Sequence, residues 1–357
     1  MILALLAMVI TLVVVVGIHE AGHALAAKLF GVKIKRIAIG FGKPLLTHKD
    51  KSGREWVWAL WPLGGYVHLL NSRIEKVPKK NYSLCFDKKP VWMRCIILIS
   101  GALANLLTAW FALTLLFMIG FEQQRPVIQK VFIPSIASEA GLQANDRIVN
   151  VAGWKTNSWQ EVGMSLIMAL GKPKVPVWIS NHEETLHQVN LDLSQWKYQK
   201  KEPSLLSALG IEPAATKLHT HHVAGKSFGS SAGYAIKQLG RLLTFFVVML
   251  KQLITGVLPF AVLLGPLGLF AASVSSFFQG IAVFLSFIAS LSLAVGFVNL
   301  FPIPGLDGGS IIYTLLEKLR GKPVPIALEV LLHRLAFIIF AVLLVQLLMN
   351  DLQRYLH

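Results

Sequence analysis

The sequence predicts a polytopic α-helical membrane protein with four transmembrane helices, a membrane-associated β-hairpin region and an inserted extracytoplasmic α/β domain. Three observations carry this expectation. The 357 residues are 54 % hydrophobic and only 15 % charged, with a mean hydropathy of +0.60, far from the balance of a soluble domain. Charge is segregated: residues 28–94 hold 15 Lys/Arg against 4 Asp/Glu, whereas residues 121–225 hold 10 against 9. Such a bias is what the positive-inside rule produces, so 28–94 is expected in the cytoplasm. Long uncharged runs, such as 95–121, separate these segments. The net charge of +16 therefore points to the lipid bilayer and its anionic headgroups, and not to nucleic acid.

Residues 1–121 form the first part. Residues 2–18 are apolar apart from Thr11, slightly short of the roughly 20 residues that cross a bilayer. Continuation through His19 to Ala27 supplies the missing length and leaves the N-terminus outside. A cleaved signal peptide is not expected, since no basic segment precedes the apolar run. That run ends in His19-Glu20-Ala21-Gly22-His23. On a helix, His19 and His23 stand four residues apart on one face, where their imidazoles can hold one metal ion. Glu20 can then reach a water on that ion, the H-E-x-x-H pattern of zinc hydrolases. An ionisable group at membrane depth costs roughly 2.5–3.5 kcal/mol or more, which favours function over accident for three of them.

In the basic segment, 36–42 and 55–61 read as strands bounded by glycine and charge clusters. Residues 62–70 follow, apolar, with Gly64, Gly65 and Tyr66 in their middle and paired glycines that permit close backbone approach. Lipid does not tolerate an open strand edge. The hairpin therefore dips between helices, lies at the interface, or is an ordinary cytoplasmic hairpin. Cys85 and Cys95 sit in or beside this segment without metal-type spacing and predict no disulfide. Residues 95–121 form the second span, in which Asn105 either bonds a neighbouring helix or faces the active site.

Residues 122–225 form an outer domain. The run Ser138-Glu139-Ala140-Gly141-Leu142, followed by Asp146, Ile148-Val149, Val151 and Gly153, resembles the PDZ fold in its bacterial, circularly permuted form. Ser158 is a plausible N-cap for a following helix. The resemblance implies peptide capture by strand addition, with Gly210 in the peptide-carboxylate loop.

Residues 226–357 complete the chain. Apolar residues from 232 to 250 have helical spacing, but Lys237, Arg241 and Lys251 interrupt them, which suits an amphipathic helix on the outer leaflet. Gly265-Pro266 and Gln279-Gly280 break the next run, read as interfacial or re-entrant. Residues 281–300 are the third span and end at Asn299-Leu300-Phe301-Pro302-Ile303-Pro304-Gly305-Leu306-Asp307. The two prolines break the helix and deliver Asp307 to the depth of His19 and His23. Residues 335–350 are the fourth span, with Arg334 able to snorkel.

A catalytic zinc takes three protein ligands and keeps a fourth position open. His19, His23 and Asp307 supply two nitrogens and one carboxylate, and Glu20 is the general base for a zinc-activated water. A side-chain amide, from Asn105 or Asn299, is a candidate oxyanion donor and substrate contact.

His19–His23, Gly40-Phe41-Gly42, residues 62–70, 101–105, the PDZ-like run and 299–309 together resemble the site-2 protease family of intramembrane zinc metalloproteases. They follow the family's order along most of the chain. The resemblance implies that His19, His23 and Asp307 hold zinc, that Glu20 is catalytic, and that the hairpin at 64–70 clamps the substrate as an added strand. It also implies single-pass membrane substrates, such as anti-sigma factors or remnant signal peptides, already trimmed by another protease. The expected location is a bacterial inner membrane, with the PDZ-like domain periplasmic and the protein monomeric. Three departures stand out: room for one outer PDZ domain where relatives commonly have two, Ala102 in place of a usual proline, and Ala294 in place of a frequent Asn. The rival readings are a non-catalytic membrane adaptor that uses a PDZ domain, and a metal transporter, for which the uncharged second span offers no polar path.

Overall fold

The computed structural model describes residues 2–51, 53–181, 185–194, 196, 204–214 and 219–356, with backbone alone at 41, 61–63, 355 and 356. The chain begins with α1 (Ile2–Leu12), a π-helical turn at Val13–Gly17, and α2 (Ile18–Leu29). Then come β1 (Ile34–Lys49), β2 (Glu55–Leu69) and α3 (Val91–Ile119). The outer segment holds β3 (Gly120–Gln124), β4 (Ile128–Val131), α4 (Ile136–Glu139), β5 (Arg147–Val151), β6 (Trp154–Lys155), α5 (Trp159–Ala169), β7 (Val175–Ser180) and β8 (Leu186–Leu191). It continues through α6 (Leu205–Ala208), β9 (Ile211–Pro213) and β10 (Thr220–Ala224). The last part is helical: α7 (Phe228–Ile254), α8 (Pro266–Phe278), α9 (Ile281–Asn299), α10 (Asp307–Arg320) and α11 (Ile326–Leu356). Two compact units result, one of residues 1–115, 232–239 and 263–357, the other of 116–231 and 240–262.

In the first unit, β1 and β2 are longer than the strands read from sequence, because both bend. Gly40 and Gly42 adopt φ of +91° and +87°, a region that glycine enters without steric cost. The bend lets residues 34–39 lie between two stretches of β2, so that Ile37 faces Val67 on one side and Trp56 on the other. Residues 44–49 cover the outer flank of 55–59. Ile34, Ile37, Ala26, Ala27 and Ile97 form a shared core under this sheet.

Polar groups tie the helices of this unit together, each bond replacing water that the hydrocarbon region lacks. Thr11 on α1 meets Ser273 on α8 at 2.8 Å. Asp351 on α11 is fully buried and accepts from the amides of Gly265 and Gly268 at 2.9 and 3.0 Å. A carboxylate there satisfies donors that the start of α8 leaves open and meets the positive end of its dipole. Near the basic face, Arg94 pairs with Glu317 at 3.0 Å and Arg73 with Glu329 at 2.9 Å.

Among the described residues, six helices are long and apolar enough to cross a membrane, including 228–254 and 260–278. The protein is thus a polytopic membrane protein with a β-region. Length and composition admit two candidate spans beyond the four read from sequence. On α7, the cation at Arg241 is occupied: it pairs with Glu161 at 3.3 Å and with the Ser165 hydroxyl at 3.1 Å.

In the second unit, β6, β5, β7 and β8 form one antiparallel sheet in that order. Val175, Val177 and Ile179 alternate inward with no exposed surface, the period-two burial that selects a strand. Val162, Leu166 and Ala169 of α5 are buried as well, and Ser158 caps α5 by accepting from the Glu161 amide. Beside this sheet, β4 pairs with β9 and β3 with β10.

Candidate active site

α2 carries His19, Glu20 and His23, all under 9 % exposed. Each is held by a different neighbour. The His23 Nδ1 lies 2.7 Å from the carbonyl of Ile97 on α3. A carbonyl only accepts, so Nδ1 carries the hydrogen and the Nε2 lone pair is free. α2 and α3 approach closely because two glycines face each other's helix. A Cβ on Gly22 would stand 2.5 Å from the Ser100 carbonyl oxygen, and one on Gly101 only 2.3 Å from His23 Nε2. Small residues at a helix crossing serve this purpose in membranes.

Asp307 arrives from the other end of the chain. After α9 stops, Ile303 N–H donates to Phe301 O and Leu306 N–H to Ile303 O, which turns the backbone into α10. Gly308 and Gly309 fit beneath this turn, since a Cβ on either would meet a carbonyl oxygen of Leu300, Phe301 or Ile303 at 2.3 Å. The turn sets Asp307 Oδ2 at 3.2 Å from both His19 Nε2 and His23 Nε2. The two Nε2 atoms are themselves 3.2 Å apart.

This equilateral triangle suits a metal ion. Tetrahedral ligands with Zn–N and Zn–O bonds of about 2.0–2.2 Å stand about 3.3 Å from one another. Two imidazole nitrogens and a carboxylate oxygen are a donor set zinc takes, and the buried Asp307 Oδ2 faces these two ring nitrogens with no further hydrogen-bond partner among the described residues. The residues fit the ion.

The sheet reaches the site through one edge. The backbone of Val67 on β2 faces the Glu20 carboxylate, and a Cβ on Gly65 would meet Glu20 Cγ and Val16 Cγ1 at 3.1 Å. A cavity of about 210 Å³ adjoins Glu20, walled in part by Ala21, Ala24, Ile34, Ile37 and Trp56. Gly64 and Tyr66 lie on the same strand segment, and the Tyr66 hydroxyl accepts from Arg36 at 3.4 Å.

The remaining expected site residues fall elsewhere. Asn105 has no exposed surface, and its amide stands 3.3 Å from His19 Nδ1, the edge of the ring opposite Asp307. Asn299 donates to Val295 O at 3.0 Å within its own helix. Gly210, in the second unit, has its amide committed to Ser207 O and its carbonyl to Phe132 N–H. Two neighbours escape the sequence reading, the Ile97 carbonyl and the Val67 backbone, while Gly101 entered it only as part of the 101–105 stretch. Backbone groups leave no residue-type signal, whereas a glycine in an uncharged helix does mark a close approach.

Comparison with known proteins identifies the family. The sequence pattern of peptidase family M50 matches residues 7–343. The chain belongs to that family. It is a zinc-dependent metalloprotease of the site-2 type, embedded in the membrane. It is 28 % identical to the Regulator of sigma E protease of Haemophilus influenzae, covering 97 % of this chain and 98 % of that relative. It is similar to the Protease RseP of Yersinia pestis, at 28 % identity and 98 % of both chains. It also resembles the Regulator of sigma-E protease RseP of Escherichia coli, at 27 % and 97 % of both.

Proposed function

We propose that this protease hydrolyses peptide bonds inside the membrane-spanning segments of other membrane proteins, with His19, His23 and Asp307 as zinc ligands and Glu20 as general base. The carrying observation is the buried 3.2 Å triangle with Glu20 beside it under a strand edge. Zinc held there supplies Lewis-acid polarisation and lowers the pKa of water toward neutrality. Glu20 accepts the proton of the attacking water and delivers it to the leaving amide nitrogen. The edge at residues 64–69 receives the substrate as an added strand, which unwinds it and sets its backbone beside Glu20. Gly65 keeps the strand close, because any side chain there would push it off the carboxylate.

The names of the relatives support a role in regulated intramembrane proteolysis in a bacterial inner membrane, acting on anti-sigma-factor-like proteins or remnant signal peptides. The strand order and capped helices of the second unit support a single PDZ-like domain over residues 122–225, on the periplasmic side. The reading keeps four spans, with α7 lying on the outer leaflet and α8 interfacial or re-entrant. The test is Glu20→Gln in the full chain: it retains zinc and loses cleavage of a single-pass reporter. Full cleavage by that variant would overturn the mechanism.

A further inference from the structure

The two histidines are oriented by unlike partners, and one partnership is incomplete. His23 is fixed by the Ile97 carbonyl, a group that can only accept. On the corresponding edge of His19 stands Asn105, with its amide 3.3 Å from Nδ1. As placed, the nitrogen faces the ring and the amide oxygen is buried without a partner. An amide donating to Nδ1 would force the hydrogen of a neutral imidazole onto Nε2, the atom that faces Asp307 and His23, where it would block ligation. The oxygen and nitrogen of an Asn amide are interchangeable by a half-turn. Turned, the orphaned oxygen meets Nδ1–H and leaves the Nε2 lone pair toward the triangle.

The surroundings hold Asn105 in place for this. A Cβ on Gly296 of α9 would lie 3.1 Å from the Asn105 Cβ, and Ser292 donates to the main-chain carbonyl of Asn105 at 3.1 Å. α9 thus presses Asn105 against His19 from behind. We propose that Asn105 is the positioning residue of His19: its side-chain oxygen accepts from Nδ1–H, selects the ligating tautomer and fixes the ring.

The inference rests on the zinc-protease reading, and the experiment separates the two. Zinc affinity of the full chain in detergent is measured by competition with a chromophoric chelator, for wild type, Asn105→Leu and Asn105→Asp. Outer partners of metal-bound histidines change affinity by about 10- to 100-fold. Asn105→Leu, which keeps the volume and removes the acceptor, is expected to bind zinc about 10- to 100-fold more weakly. Asn105→Asp, which can only accept, is expected to match wild type or exceed it. With zinc saturating, the Leu variant should cleave with an unchanged KM, because no substrate atom touches residue 105. The inference is overturned if Asn105→Leu binds zinc like wild type, or if folded Asn105→Asp binds as weakly as Leu. Should the Leu variant fail to fold, the Asp variant alone decides. Absence of stoichiometric zinc from wild type would instead refute the zinc-protease reading itself.

Discussion

A single methyl group at residue 101 probes how tightly α3 is set against α2. Gly101→Ala would place its Cβ 2.3 Å from His23 Nε2, 2.7 Å from His23 Cε1 and 2.8 Å from His19 Cε1. Ordinary carbon contacts begin near 3.5 Å, so the imidazole of His23 must retreat by about 1 Å. The helix cannot give way instead, because Gly22 already holds the same crossing at its limit against the Ser100 carbonyl. A metal site tolerates about 0.2 Å in its ligand distances, and a misplacement of about 1 Å at a reacting centre costs about 100-fold in rate. The expected outcome is a loss of zinc affinity and of kcat/KM of at least about 100-fold each. Chelator competition and cleavage of a single-pass reporter read the two quantities. Gly240→Ala on α7 is the matched control: nothing lies within 4 Å of its Cβ position, so zinc and activity should be unchanged and α7 slightly favoured. Wild-type zinc affinity in Gly101→Ala would refute the packing argument.

Two further outcomes follow from neighbouring contacts. Gly65→Val sets a branched side chain against the Ala38 carbonyl oxygen at 2.8 Å and Glu20 Cγ at 3.1 Å; cleavage should fall by more than tenfold while zinc affinity stays at the wild-type value, as chelator competition would report. Asp351→Ala strips the buried amides of Gly265 and Gly268 of their acceptor, which costs about 1–3 kcal/mol for groups left unsatisfied; a thermal melt in detergent should show the loss, and an unchanged midpoint would argue that water replaces the carboxylate.

Much of the site was legible in the sequence because its chemistry depends on residue type. His19, Glu20 and His23 announce themselves through a four-residue spacing in an uncharged helix, and Asp307 through the Pro302–Pro304 break that precedes it. Groups that act through their backbones leave no such mark. The Ile97 carbonyl and the Val67 amide are anonymous in sequence, and only the packing of α3 and β2 on α2 reveals them. Asn105 carried a signal of polarity but no direction, and only the fold shows that its amide meets the Nδ1 edge of His19. The β-region was visible only as fragments, since 34–39 has strand neighbours on both sides and so lacks the alternation of a half-exposed strand. The reading of α7 and α8 differs for another reason, because uncharged length suits a span and an interfacial helix alike.

The π-helical turn at Val13–Gly17 gives the first helix a property its composition hides. Such a turn is an α-helix that has absorbed one extra residue. Since each residue advances an α-helix by about 100°, the turn acts as a phase-setter between two rotational frames. The frame before it orients Ala7 and Thr11 to Ser273; the frame after it aims His19 and His23 at Asp307. Loss of one residue from Val13–Val16 would leave His19, Glu20, His23 and Asp307 all present and still swing the two histidines out of alignment with Asp307. The aim of the two histidines at Asp307 is therefore set by the count of residues in this turn, a dependence on chain length that adds to the packing of Val15 and Val16.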